Sequence, residues 1–199
     1  MLLSETFLKL VRRATTDLDV DRLRTEVQLF SRRHPDLTTR EKGRRMIASS
    51  ARRAAARGAA ASLPPGWFAF AVAAPEVSAL LFLQSRLILG LHLLYGGQPA
   101  ADERALEVLA GLASGAGIHV GRKLTSRAAE QIAGRLVVRL AGREASHLVP
   151  LFGAVAAGTL NYWAVRGVGR AALARVERLY GPPEVPGKGP VLDASGSVD

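Results

Sequence analysis

Residues 76–95 read EVSALLFLQSRLILGLHLLY, and this stretch decides the fold. Nothing within it interrupts a helix, and the glycine pair at 96–97 supplies a stop. Leucine, isoleucine and phenylalanine fall on every side of such a helix rather than along one stripe. A helix that is apolar nearly all round is buried in protein or in lipid. The stretch therefore predicts a long, buried central helix.

A second stretch without charged residues predicts another apolar helix over 148–165. It contains Gly153 and Gly158, which are small residues that let helix backbones approach closely. We expect these glycines to bring it against the helix 76–95. No alternation typical of β-strands occurs over a useful length. The sequence therefore predicts an all-α fold, a compact helical domain in which two long apolar helices pack through small residues.

Local signals outside the apolar stretches place further helices. A short apolar stripe predicts a first helix over 5–14. Asp19 is placed to cap a second helix, which should stop before Pro35 because proline disfavours helical geometry in the preceding residue. Thr38 and Glu41 are three residues apart, as in the capping box that begins a helix. A third helix is therefore predicted to begin at this point.

The predicted domain organisation is simple. We expect one helical domain over 1–180, with N-terminal helices over 1–36 and a core over 38–180. Residues 181–199 are rich in proline, glycine and serine and have little apolar surface to bury. This composition is typical of disordered segments, so the tail is predicted to be disordered.

The third predicted helix has a small apolar face and a basic face. Ile47, Ala51 and Ala54 recur at helical spacing on the first. The basic residues that gather on the second are Lys42, Arg45, Arg52, Arg53 and Arg57. The chain has a formal charge of +10, which attracts anionic lipid or nucleic acid. Arginine usage of a G+C-rich bacterial genome is the alternative explanation, but a cationic helix that leads into apolar sequence predicts an anionic membrane surface as partner.

Three of the polar residues in the apolar stretches are candidate site residues, namely Glu76, Arg86 and Asn161. Pro75 suits the first turn of a helix, so Glu76 is expected at its N-terminal end, where the helix dipole favours an anion. Arg86 lies near the middle, where a charge is costly unless it is paired, so we expect it to meet an acid from another segment. The alternative is that Glu76, Arg86 and Asn161 form a polar site inside an apolar groove.

Catalytic and cofactor chemistry finds little support in the sequence. The absence of cysteine excludes disulfides, thiolate catalysis and cysteine-ligated zinc. Residues 167–172 fit G-x-G-x-x-A, but a dinucleotide site also needs flanking parallel strands. The four histidines lie far apart without carboxylates at ligand spacing. We expect no enzymatic activity, no metal and no cofactor.

Two blocks of the sequence resemble the EcsC protein family. In the first, a proline-marked apolar entry at 63–65 precedes a long helix that ends in Tyr-Gly at 95–96. In the second, residues 149–162 and 168–172 are similar to the family's ending, P-x-x-G-A…G…N-[YF]…[IV]-G-x-A. The family commonly has an aspartate before the long helix, where this chain has Glu76. The family takes its name from a bacterial gene encoded beside a transporter, and its members have no settled activity. The resemblance implies an all-helical, membrane-associated accessory domain.

These observations favour a non-enzymatic accessory protein that supports a membrane transport or secretion complex. The N-terminus lacks a basic region before an apolar core, so we expect no cleaved signal peptide and a place on the cytoplasmic face of the membrane. Two alternatives stay open. One is a soluble helical domain that binds a lipid or other apolar ligand between the two apolar helices. The other is a nucleic-acid binder, although the basic helix has no recognition motif or stacking aromatic residues.

Overall fold

The computed structural model describes residues 2–61, 68–121, 124–144 and 153–181. Side chains are described over 4–58, 78–121, 124–138 and 158–181. The described residues form seven helices and no strand, which confirms the all-α prediction. In chain order the helices are α1 (Leu2–Thr16), α2 (Val20–Arg33), α3 (Thr39–Ala61), α4 (Phe68–Leu94), α5 (Arg104–Gly115), α6 (Ser126–Glu144) and α7 (Gly153–Tyr180). The predicted disordered tail lies outside the described residues from residue 182 onward.

The ends of α2 and α3 follow the local signals predicted for them. The Asp19 carboxylate accepts a hydrogen bond from the Arg22 backbone N–H at 2.9 Å, and α2 ends two residues before Pro35. The Glu41 carboxylate accepts from the Thr38 backbone N–H at 2.8 Å, and the Thr38 hydroxyl accepts from the Glu41 N–H at 3.2 Å. These bonds to Thr38 lower the pKa of the Glu41 carboxyl. The capping box predicted from the sequence is confirmed.

The long apolar helix begins earlier than predicted. It starts at Phe68, so Pro75 lies in its interior and Glu76 is not at its N-terminus. An interior proline removes one hydrogen bond, here to the Ala71 carbonyl, at a cost of about 3 kcal/mol. The helix nevertheless continues through the proline to Leu94. The prediction that Pro75 begins the helix is therefore wrong, and the Glu76 side chain lies outside the described ones.

The second apolar helix is part of a longer element. α7 runs without a break to Tyr180, so the predicted helix 148–165 and the amphipathic segment after it form one helix. Gly167 and Gly169 do not interrupt it, since a glycine inside a helix costs only about 1 kcal/mol relative to alanine. The G-x-G-x-x-A sequence at 167–172 therefore lies inside one continuous helix. Residues 148–152 of the predicted helix lie outside the described residues.

The central position of α4 explains its composition. This helix packs against α1, α2, α3, α5 and α7. Between Leu81 and His92, only Phe82 and Arg86 are more than slightly exposed. Among the described residues no helix combines the length and the apolar character that a membrane span requires. The segment 81–92 is apolar nearly all round because the rest of the protein surrounds it.

The N-terminal helices share this core. Phe7 and Val11 of α1 and Leu23 and Val27 of α2 are buried in the same apolar cluster as α4. α1 packs against α4, α5 and α6, and α2 packs against α4. α2 and α3 share one side of α4, because a Cβ on Gly90 would lie near Leu23 and Val27 of α2 and near Met46 of α3.

Two glycines set the arrangement of α3, α4 and α7. A Cβ on Gly43 would lie 2.9 Å from Leu173 Cδ1 in α7 and 3.3 Å from Leu91 Cδ2 in α4. A Cβ on Gly169 would lie 2.8 Å from both γ carbons of Ile47 in α3. Gly43 is therefore level with Leu173, and Ile47 is level with Gly169. Because the residue numbers rise along α3 while they fall along α7, the two helices are antiparallel.

Close approach through glycine, predicted for Gly153 and Gly158 against α4, is seen at other positions. α7 packs most extensively on α3, whose buried face consists largely of alanine and glycine. Gly158 is buried. Gly153 lies in α7, but its side-chain environment lies outside the described residues. The contact of Gly153 and Gly158 with α4 stays a prediction.

Candidate functional site

The basic residues of α3 form an exposed surface. Its members, which we call the α3 cationic face, are Arg45, Arg52, Arg53 and Arg57. They extend over about 18 Å of helix, at about 1.5 Å per residue. Among the described residues, no carboxylate lies within ion-pair distance of these four guanidinium groups. Their charge is therefore available to an external anion.

Lys42 stands at the edge of this face and is engaged elsewhere. It is half-buried, and its ammonium donates a hydrogen bond to the Ser31 hydroxyl of α2 at 3.0 Å. Its main contact is therefore between α3 and α2. We leave Lys42 out of the α3 cationic face for this reason.

Arg86 meets an acid from another segment, as expected, and that acid is Glu26 of α2. The guanidinium donates to Glu26 Oε2, and Glu26 Oε1 also lies 3.4 Å from Arg22 Nε. The side chains of Arg86 and Glu26 are 32% and 37% exposed. The pair therefore lies at the surface, where an ion pair contributes about 1 kcal/mol or less. The interpretation of Arg86 as a polar group inside an apolar groove is wrong.

Two of the three predicted groove residues, Arg86 and Asn161, lie apart, and the third, Glu76, has its side chain outside the described ones. Asn161 is half-buried on α7. Leu87, the neighbour of Arg86, packs against Gly169, which lies eight residues or about 12 Å beyond Asn161 along the helix. An open cleft of about 810 Å³ lies elsewhere, between the α5–α6 connection and α6, where it is lined in part by His119, Glu130 and Arg135. This cleft is therefore not the ligand groove that the sequence predicts between the two apolar helices.

A buried polar network at the C-terminal end of α4 was not predicted. Arg175 of α7 donates to both carboxylate oxygens of Glu107 in α5, from Nε at 3.0 Å and from Nη2 at 3.2 Å. Its Nη1 donates to the Gly121 carbonyl at 2.9 Å. The Arg175 side chain is only 4% exposed, and the Glu107 side chain is 19% exposed. This bidentate pair ties α5, α7 and the α5–α6 connection together.

His92 extends the network to the end of α7. Its Nε2 lies 3.5 Å from Glu107 Oε2, and its Nδ1 lies 2.9 Å from the Tyr180 hydroxyl. In the neutral ring with its proton on Nε2, Nδ1 accepts from the Tyr180 hydroxyl. Nε2 itself makes no hydrogen bond within the described part of the chain, although Glu107 is its nearest carboxylate. The ring is 1% exposed, so a substrate cannot reach it. The contacts therefore hold helices together rather than form an open reaction site.

Protonation of His92 should weaken the fold. Burial lowers the pKa of His92, an effect that Glu107 partly opposes and Arg175 reinforces. Below its ordinary pKa of about 6.5, the unfolded chain therefore binds a proton that the folded chain does not, so stability falls with decreasing pH until the lowered pKa is reached. We expect the wild type to lose more thermal stability than His92→Gln between about pH 7.5 and about pH 5.5. Equal losses of thermal stability in the two proteins would contradict this role of His92, because both proteins contain the other histidines.

A second polar contact lies at the same end of the bundle. The Tyr95 hydroxyl donates to Glu177 Oε1 at 3.0 Å, and Arg40 donates to Glu177 Oε2 at 3.0 Å. Burial, followed by this bond to Glu177, raises the pKa of the Tyr95 hydroxyl. The next residue, Gly96, has a φ of 77°, a left-handed conformation that favours glycine. The Tyr95–Glu177 hydrogen bond and the left-handed conformation of Gly96 therefore explain why α4 ends just before this Tyr-Gly pair.

An exposed aromatic cluster lies on α7 and was also not predicted. Trp163 is 57% exposed and Leu160 is 46% exposed. The Arg166 guanidinium carbon lies 5.6 Å from the centroids of both the Tyr162 and the Trp163 rings. Arg166 Nη1 also donates a hydrogen bond to the Tyr162 hydroxyl at 2.6 Å. No local pattern predicts this surface, because the apolar stretch 148–165 predicts burial on all sides.

Comparisons with protein-family models, curated proteins and solved structures give no match for this chain. The resemblance to the EcsC family therefore stays a prediction based on two sequence blocks. In the structure, the first block includes the Tyr95–Gly96 end of α4, and the second includes Gly169, which packs against α3.

Proposed function

We propose that this chain is a non-enzymatic protein that attaches peripherally to an anionic membrane surface through the α3 cationic face. The observation that carries the proposal is the set of four exposed arginines on one side of one helix. Each basic residue near an anionic bilayer contributes about 1 kcal/mol of attraction. Four such residues are sufficient for reversible attachment without a membrane-spanning helix.

The biological role follows from the resemblance to the EcsC family. That resemblance supports an accessory role beside a membrane transport or secretion complex, on the cytoplasmic face. The rigid attachment of α3 to α4 and α7 is compatible with such a role, since a surface held by three packed helices can orient the whole domain on a bilayer. Membrane attachment is the part of the proposal that a purified protein can test directly.

The test is sedimentation with vesicles of phosphatidylcholine and phosphatidylglycerol. We expect the wild type to sediment with these vesicles and to be released as salt rises, because the Debye length shrinks from about 10 Å at 0.1 M to about 3 Å at 1 M. Arg45→Glu with Arg52→Glu should weaken binding at least about thirtyfold, since two favourable contributions of about 1 kcal/mol each are lost. Both residues are exposed, so the fold should persist.

A matched control is available on α6. Arg127→Glu with Arg135→Glu changes the net charge by the same amount at two exposed residues of a helix without extensive contact to α3. This control should bind vesicles almost as well as the wild type. Equal losses in the two double variants would mean that only net charge matters and would refute a role for the α3 cationic face. Salt-sensitive binding to duplex DNA, with none to anionic vesicles, would favour the nucleic-acid alternative instead.

A further inference from the structure

α7 presents apolar side chains to solvent beside the α3 cationic face. Leu160, Trp163, Ala164 and Gly167 are exposed and recur at steps of three and four residues, so they share one side of the helix. The opposite side of the same segment, which includes Val165 and Val168, is buried against the core. An exposed tryptophan is unusual unless it contacts a partner, because Trp is highly buried on average.

The exposed indole is also held in position. Arg166 lies over both Trp163 and its neighbour Tyr162, and the two rings meet edge to face with centroids 5.5 Å apart. The hydrogen bond from Arg166 to the Tyr162 hydroxyl fixes the guanidinium between them. Contact with a partner would therefore restrict few additional side-chain rotations at Trp163, which lowers the entropic cost of binding.

Positive charge surrounds this apolar surface. The antiparallel register of α3 and α7 places the exposed Arg52 level with Ala164, so the two residues lie at the same height in the bundle. Arg170 is exposed and lies seven residues, about 10 Å, beyond Trp163 on the same side of α7. An apolar centre with a cationic border is complementary to an anionic bilayer, whose charged headgroups lie above an apolar interior. Tryptophan is moreover enriched at the depth where these two regions meet.

We infer that Leu160 and Trp163 form an insertion site for an anionic lipid bilayer. The arginines of α3 and α7 contact the headgroups, and the two apolar side chains enter the interfacial region. The inference rests on the proposed function and adds to it a second helix, a depth and an orientation. In this arrangement α3 and α7 lie side by side against the membrane.

The fluorescence of Trp163 tests the inference. The chain has two tryptophans, so Trp67→Phe leaves Trp163 as the single indole. With vesicles of phosphatidylcholine and phosphatidylglycerol, its emission should shift to shorter wavelength and be quenched by lipids brominated on the acyl chain. Phosphatidylcholine vesicles alone should produce little change. Trp163→Ala should weaken sedimentation with anionic vesicles by about tenfold, as expected when one large apolar side chain no longer leaves water.

Val138→Ala provides the matched control, since Val138 is 73% exposed on α6, which lies away from this surface. It should bind anionic vesicles as well as the wild type, and circular dichroism should show that both variants keep their helical content. Sedimentation with anionic vesicles without a change in Trp163 emission would overturn the insertion site but leave attachment through α3 intact. Failure of the protein to sediment with these vesicles at all would overturn both proposals.

Discussion

Replacing Arg175 by methionine should lower the free energy of unfolding by about 3 kcal/mol, near the lower end of the range for breaking a buried ion pair. The reason is that the Glu107 side chain, which is only 19% exposed, loses its ion-pair partner and both hydrogen bonds that Arg175 donates to it. The Gly121 carbonyl loses its donor as well. Urea-induced unfolding measures the change.

Two comparisons make this result specific. Arg175→Met with Glu107→Leu should be more stable than Arg175→Met alone, because replacing both charges removes the penalty of an unpaired carboxylate. Arg170→Met, at an exposed site on the same helix, should change stability by less than about 0.5 kcal/mol. A loss below about 1 kcal/mol in Arg175→Met would show that the network contributes little to the stability of the fold.

Alanine at two glycines of α7 should have opposite effects. At Gly169 a Cβ would lie 2.8 Å from both γ carbons of Ile47, a β-branched side chain that cannot easily rotate away. Overpacking of this kind costs about 1–3 kcal/mol. At Gly167 nothing lies within 4 Å of the added carbon, so alanine should stabilise the helix by up to about 1 kcal/mol.

The two variants are controls for each other, because they make the same chemical change two residues apart in one helix. Thermal unfolding of Gly167→Ala should occur at a higher temperature than that of the wild type, and unfolding of Gly169→Ala at a lower one. A rise in both would show that α3 and α7 can separate slightly without loss. The close approach at Gly169 would then be unimportant for stability.

Helix ends with side-chain caps could be predicted from the sequence, whereas ends marked by proline or glycine could not always be. Asp19 and the Thr38–Glu41 box act within four residues of themselves, so their hydrogen bonds form as the sequence predicts. The effect of Pro75 depends on whether surrounding contacts outweigh one missing hydrogen bond, and a sequence does not report those contacts. The error at the start of α4 has this cause.

The candidate sites also divide into one that the sequence predicts and others that it does not. The α3 cationic face follows from helical periodicity alone. Glu107 and Arg175 are 68 positions apart, and each lies in an amphipathic segment that predicts solvent contact. The exposure of Trp163 depends on where neighbouring helices leave space. Such features are determined by tertiary packing, so local sequence patterns give no sign of them.

The pairing of α3 with α7 also has a consequence for biosynthesis. Arg40 and Glu177, which join the two helices, are 137 positions apart. At an elongation rate of about 5–20 residues per second, α3 and the adjoining side of α4 wait on the order of ten seconds on the ribosome before α7 is made. During that interval α1, α2, α3 and α5 can already pack on α4, but the surface of α3 and α4 that contacts α7 stays exposed. The described core is therefore complete only when α7, the last described helix, has been made.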